Sequence, residues 1–256
     1  MQKLISIDFQ ADFGFFRKPD VNATINLSYN MLHKPALLGI LGAIIGLEGY
    51  KEAQKFPEYY QKLKDIEIGI EPLNHEKGNF TKTLIKYSNT IGYANARENF
   101  LAEEATLIKP AYRVYILLNL ENSENAKLYE YLKECKAEYL PYFGKNEFYA
   151  WWEKESFQEY EFEKAENISE NFQVKTLIIK SQSLQNQKAE VIFDIFNYES
   201  YTENYIYFER LPTEFDEQLH QYKLSDFAFT TFNLKPDTKL SNLYFLKSKG
   251  YYVQLH

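Results

Sequence analysis

Twelve consecutive residues, Ala36 to Leu47, carry no polar or charged side chain, and three of them are glycines. A helix that is apolar on every side has to be buried on most of them, yet this one falls well short of the ~20 residues that a membrane span needs. Pro35 suits its first turn. Gly39, Gly42 and Gly46 recur at spacings of three and four, so they share one helix face and admit very close approach of another backbone. The plain reading is tight packing of this helix on a sheet.

The sheet is visible on either side of it. Ile5, Ile7, Phe9, Ala11 and Phe13 alternate with Ser6, Asp8, Gln10 and Asp12, the period of a half-buried strand. A loop is expected from Gly14 to Asn30, with the basic pair Arg17-Lys18 ahead of the turn-forming Pro19-Asp20. Phe56 to Lys64 reads as a short helix, and Ile66, Ile68 and Ile70 alternate with Glu67, Gly69 and Glu71 in a second strand that stops at Pro72. Tyr112 to Leu120 is a third strand. Leu128, Tyr131, Leu132 and Cys135 recur at helical spacing between Ser123 and Ala137, and Lys145 to Ala150 supply a fourth strand. Strand, helix, strand, strand, helix, strand is the split βαβ order, so residues 1–152 are expected to form a ferredoxin-like (RRM-type) α+β domain.

Two segments lie outside that frame. The stretch from Leu73 to Pro110 is rich in turn residues and only weakly β-like, and a long excursion inside a compact domain usually has a function of its own. Beyond Trp152 an acidic stretch, Glu153 to Glu170, leads into short alternating runs: Val174–Lys180, Ala189–Phe196, Tyr205–Arg210, Asp226–Phe232, Asn242–Leu246 and Tyr251–Leu255. These predict a β-rich C-terminal domain or extension over residues 153–256.

Charge and motifs narrow the function. The chain has 29 Lys+Arg against 36 Asp+Glu, a formal charge of −7, which argues against indiscriminate nucleic-acid binding through bulk charge. Residues 1–152 hold 18 basic and 19 acidic side chains, leaving room for a local basic face there; residues 153–256 hold 11 and 17. One cysteine, Cys135, excludes an internal disulfide and every multi-cysteine metal motif, and suits a reducing cytoplasm. No uncharged apolar run is long enough for a membrane span, and no secretory leader is apparent. The phosphate-binding patterns G-x-x-x-x-G-K-[ST] and G-x-G-x-x-G are missing, as is G-x-S-x-G, so NTPase, dinucleotide and serine-nucleophile chemistry have no support. His33, His75, His220 and His256 show no metal-ligand spacing. No metal or cofactor is expected, and His256, the last residue, is expected to be disordered.

Four groups of residues could carry chemistry. Ser28, Tyr29, Asn30 and Lys34 lie just before the apolar helix and offer hydroxyls, an amide, a cation and free N–H groups to a phosphate; helix packing alone is the alternative. Lys86-Tyr87-Ser88-Asn89 and Tyr93-Ala94-Asn95-Ala96-Arg97 mix cations, amides and aromatics, the chemistry that stacks and clamps single-stranded RNA, although solvated loop surface explains them as well. Around Gly144, Lys145 and Asn146, backbone N–H groups and a lysine could meet a phosphate, or form a plain hairpin turn. His33 beside Lys34, with Tyr29 four residues earlier, could act as a general base; an ordinary hydrogen-bonded histidine is the other reading.

Taken together, Phe13-Gly14-Phe15-Phe16-Arg17-Lys18-Pro19-Asp20, the run from Lys34 to Leu47, Pro110-Ala111-Tyr112-Arg113-Val114-Tyr115 and Phe143-Gly144-Lys145-Asn146-Glu147-Phe148 resemble the fifth CRISPR-associated protein family. This is the RAMP-superfamily subunit of type I Cascade complexes, and the likeness is nearest to the subtype I-B branch. The resemblance covers most of residues 1–152. It implies an inserted thumb hairpin, here residues 73–110, and a cytoplasmic, non-catalytic subunit that holds the 5′ handle of the CRISPR RNA and joins the large subunit to the backbone subunits in antiviral defence. Contact with target DNA near the PAM is left open. Candidate handle contacts become Arg17, Lys18, Lys34, Lys86, Tyr87, Arg97 and Lys145, with Ser28, Tyr29, Asn30, Asn89, Gly144 and Asn146 beside them. One branch of the family cleaves repeat RNA without metal through a Tyr, Lys and His set. That alternative, a metal-independent endoribonuclease, would centre on His33 here, but no Lys-His pair stands in the thumb region.

Overall fold

The computed structural model describes residues 1–21, 24–88, 101–166, 168–179, 204–236 and 238–256, and the protein is a mixed α+β fold dominated by strands. The chain begins with β1 (Gln2–Ala11), the short β2 (Phe13–Gly14) and β3 (Phe16–Arg17), and β4 (Ile25–Tyr29). Helices α1 (Lys34–Ile45) and α2 (Glu58–Leu63) follow, then β5 (Glu67–Leu73), the pair β6 (Lys82–Ser88) and β7 (Leu101–Ile108), β8 (Ala111–Asn119) and α3 (Ser123–Glu134). Further along lie β9 (Ala150–Trp151), β10 (Gln158–Tyr160), β11 (Phe162–Lys164), β12 (Ile178–Ile179), β13 (Ile206–Asp216), β14 (Gln221–Thr230), β15 (Leu243–Leu246) and β16 (Tyr251–Gln254).

The central sheet has the order β10-β1-β8-β5, antiparallel throughout, with β9 also on the outer edge of β1. This is the ferredoxin-like order. Register puts Ile5, Ile116 and Ile68 in one row and Ile7, Val114 and Ile70 in the next, all 0% exposed, and the helices pack on this face. Each such side chain contributes about 1.5–3 kcal/mol by leaving water. On α1, the glycine face receives a side chain from α2 where close backbone approach was expected: a Cβ on Gly42 would lie 2.4 Å from the Cβ of Tyr59.

The edge strand beside β1 differs from expectation. Residues 145–149 form no strand; Ala150–Trp151 and Gln158–Tyr160 occupy that edge instead. The cause is local. Phe143 N–H donates to the Phe148 carbonyl at 2.8 Å and Phe148 N–H to the Lys145 carbonyl at 2.9 Å, closing a tight turn around Gly144 at φ 85°. The expected loop from Gly14 to Asn30 also contains strands: β2 and β4 pair with β7, and β3 pairs with β4. With β6, which pairs with β7, they make one five-stranded sheet that takes in part of the stretch 73–110 expected to form a thumb. Residues 89–100, with Asn89, Tyr93 and Arg97 among them, lie outside the described residues, as does the expected strand Ala189–Phe196.

Two further expectations are corrected. Strand β5 continues through Pro72 to Leu73, since this end of an outer strand tolerates a residue without an N–H. His256 is ordered: its backbone exchanges hydrogen bonds with Ile68 at 3.1 and 2.9 Å. The second face of the central sheet is partly covered by the β11-β15-β16 sheet, with Tyr244 donating to Glu67 at 2.9 Å and Leu246, Val253 and Leu255 packed on Leu4 and Leu117. The long β13–β14 hairpin packs against α1 from the other side.

Candidate nucleic-acid interface

A cleft of about 1020 Å³ is bounded by β3, α1, β7, the loop after α3 and the β13–β14 hairpin. Each wall brings a different chemistry. From β3 comes Arg17, exposed and, among the described residues, in no ion pair. The turn at 143–148 brings Gly144 and Lys145. Gly144 cannot be another residue without moving the turn, because its φ is 85° and a Cβ would fall 1.9 Å from the Phe15 carbonyl oxygen.

Lys145 is the best-defined cation in the cleft. Its Nζ lies 2.8 Å from Glu104, 3.2 Å from Glu147 and 3.9 Å from the centre of the Tyr87 ring. Burial works against its charge, but the hydrogen bonds it donates to Glu104, Tyr87 and Glu147 outweigh that and hold the pKa above the ordinary lysine value. The remaining walls are aromatic. Tyr50, Tyr139 and Tyr142 are 61%, 59% and 42% exposed at the rim, while Tyr59, Phe215 and Tyr222 form the floor. Flat rings beside a free guanidinium and a lysine suit an unstacked base and its phosphate.

The structure brings Arg17, Gly144 and Lys145 together, with Tyr87 over the Lys145 ammonium. Other candidates serve the fold. Asn30 is buried: its amide donates to the Gly78 carbonyl at 2.7 Å and accepts from Phe80 N–H at 3.1 Å and from Lys82 at 2.9 Å. The Glu209 carboxylate, only 6% exposed, accepts the backbone N–H groups of Asn30 and Met31 at 3.0 Å and pairs with Lys18 at 3.0 Å. Ser28 accepts from Phe16 N–H at 2.9 Å and donates to the Tyr29 carbonyl at 2.7 Å. Tyr29 is buried beneath Lys18, and burial raises the pKa of its hydroxyl. Lys34 points into a separate cavity shared with Asp65, Glu214 and Asp216, where it donates to the His256 carbonyl at 3.0 Å and burial lowers its pKa. Lys86 on β6 pairs with Glu103 on β7 at 2.6 Å, and Asn146 is exposed at the turn.

His33 caps α1. Its Nδ1 accepts the Ala36 N–H at 3.3 Å, its ring sits among Phe16, Tyr29 and Tyr222, and burial pulls its pKa down to about 3. Among the described residues no three His, Cys, Asp or Glu side chains could hold a metal ion, and no helix is long and apolar enough to cross a membrane. Sequence reasoning missed Tyr50, Tyr139 and Tyr222. The first two had a signal, being tyrosines beside Gly49 and near Pro141 in polar loops; Tyr222 had none.

No family model and no curated protein matches the chain. Solved structures do. A chain of the type III-B Cmr-beta complex bound to cognate target RNA has 12% identity and a TM-score of 0.49 over 98% of both chains. A CRISPR protein from Archaeoglobus fulgidus has 10% identity and a TM-score of 0.48 over 98% of this chain and 97% of its own. A CRISPR RNA-guided surveillance complex contributes a chain with 9% identity and a TM-score of 0.46, covering 91% of this chain and 92% of its own.

Proposed function

We propose that this protein is a non-catalytic subunit of a type I CRISPR effector complex, nearest to subtype I-B, whose cleft holds unpaired nucleotides of the CRISPR RNA 5′ handle. In the complex it would join the large subunit to the backbone subunits. The observation that carries the proposal is the cleft: Arg17, Gly144 and Lys145, far apart in the chain and all within the segments that resemble the family, meet among exposed tyrosines at the root of the thumb. The ion pairs of Lys145 with Glu104 and Glu147 leave the cleft only weakly basic, so the tyrosines and Arg17 have to contribute much of the affinity.

Cleavage is not part of this reading. A histidine that is 4% exposed, caps a helix and is ringed by aromatics is poorly placed to reach a 2′-hydroxyl. The test uses labelled RNA carrying the repeat-derived 5′ handle and a scrambled control of equal length, in EDTA. The handle RNA is expected to bind more tightly than the control and to stay intact on a denaturing gel. With about five phosphates engaged, log affinity falls against log salt with a slope near −3.5. Arg17→Ala lowers that slope by roughly 0.7. Equal binding of both RNAs, or a defined cut lost in His33→Ala, would overturn the proposal.

A further inference from the structure

A second cavity, of about 690 Å³, lies at the foot of the β6–β7 hairpin, and the same two segments border both cavities. Strand β7 gives Glu104 to the cleft and Ile108 to the second cavity; alternation puts both on one face, about 13 Å apart along the strand. The segment from Tyr142 to Trp151 does the same, with Tyr142 and Lys145 at the cleft and Trp151 at the second cavity. Between them stands Tyr149, 57% exposed and bridged to Tyr142.

The two tryptophans differ sharply. Trp152 is buried, packs its ring edge-on to Phe9 and donates its indole N–H to the Leu132 carbonyl at 3.1 Å. Trp151 is 37% exposed and lines the second cavity. Gln10, its cross-strand partner, lines the cavity with it, as do the exposed Asn74 and Asn79, and the three side-chain amides make no hydrogen bond among the described residues. A free amide presents a donor and an acceptor side by side, which is what the edge of a nucleobase requires. The charged groups here are Asp12, Glu76 and Lys109, a net negative set that repels a phosphate and tolerates a neutral base.

Resting on the reading of the cleft as an RNA site, we propose that the second cavity is a nucleobase subsite. The strand leaves the cleft past Tyr142 and Tyr149 and stacks one base on Trp151, the base edge meeting Gln10, Asn74 and Asn79 while its phosphate stays outside. The protein therefore engages RNA over more than the cleft alone.

With Trp152 enclosed, Trp151 is an optical reporter. The full chain is titrated with labelled single-stranded RNA of about four and about ten nucleotides, reading anisotropy for binding and tryptophan emission for the second cavity. The longer RNA is expected to quench emission, and the shorter to bind with little quenching. Trp151→Ala should weaken the longer RNA roughly ten-fold, within the range of one base–aromatic stack, and leave the shorter unchanged. Trp151→Phe restores most of the affinity, and the Asn74→Gly, Asn79→Ala pair, which removes both amides and keeps a residue suited to the φ of 53° at position 74, weakens the longer RNA alone. Anisotropy that rises without quenching, together with unaltered affinity for the longer RNA in Trp151→Ala and in the asparagine pair, would overturn the subsite and leave the cleft standing. No rise in anisotropy for either RNA would overturn the cleft, and the subsite with it.

Discussion

The two faces of the central sheet are built on different physics. Against the helices, rows of Ile, Val and Phe from β1, β5 and β8 are dry. On the opposite face, Asp8 and Arg113 form a two-pronged ion pair at 2.7 and 2.8 Å, Tyr115 donates to Glu71 at 2.8 Å, and Ser6 meets the Tyr160 hydroxyl at 2.8 Å. That is the face a one-sided sheet would show to solvent or to RNA. Here the β11-β15-β16 sheet covers part of it, the Tyr251 hydroxyl lying 3.2 Å from that of Tyr115. The cleft proposed for RNA lies elsewhere, among β3, α1, β7 and the β13–β14 hairpin. A face stabilised by shape should respond to lost volume, and one stabilised by paired polar groups to lost charge and to pH.

The largest effect is expected on the apolar face: Ile7→Ala should cost about 2–5 kcal/mol in chemical denaturation, for lost burial plus the cavity left behind. Next comes acid. His33 caps the helix on this face with a folded pKa of about 3, against about 6.5 when unfolded, so the unfolded chain binds the proton more tightly between those values. Its contribution is complete above pH 6.5 and is lost as pH falls, about 2–3 kcal/mol by pH 4.5. His256, likewise held down to about 3 by burial, adds a second slope of the same sign. Denaturation at several pH values should show His33→Asn, which keeps a capping side chain, losing about half of that acid sensitivity.

On the polar face the expected effects are smaller. A double-mutant cycle of Asp8→Ala and Arg113→Ala should return a coupling of about 1 kcal/mol, because each side chain keeps about a quarter of its surface in water. Smallest and opposite in sign is Glu71. Burial raises its folded pKa above the unfolded value, so stability from this group grows as pH falls from neutral through the raised value. Glu71→Gln should flatten that rise and leave the histidine slope intact. If both variants moved the acid limb in one direction, the contrast between the faces would be wrong.

The apolar face was legible because alternation and helical spacing are local: β1, β8, α1 and α3 all lie where their patterns put them. The polar face was not, since most of its pairs, such as Tyr115 with Tyr251 and Asp8 with Arg113, join residues more than 100 positions apart, and polar residues on a strand look the same whether water or protein faces them. The same reason hid β2, β3 and β4, which exist only because β7 pairs with two of them. At the cleft, residue type identified Arg17, Gly144 and Lys145, but could not show that Asn30 and Ser28 spend their polar atoms on the chain's own backbone.

The Glu209 carboxylate joins β13 to residues 30 and 31, a separation of 179 residues, and Phe215 and Tyr222 of the same hairpin form part of the cleft floor. Such distant contacts form late and at a large cost in chain entropy. During synthesis the thumb root and α1 emerge long before the hairpin that completes them. A chain lacking residues 206–230 would keep Arg17 and Lys145 but lose part of the cleft floor, so the proposed RNA cleft is complete only once that hairpin has been made and packed on α1.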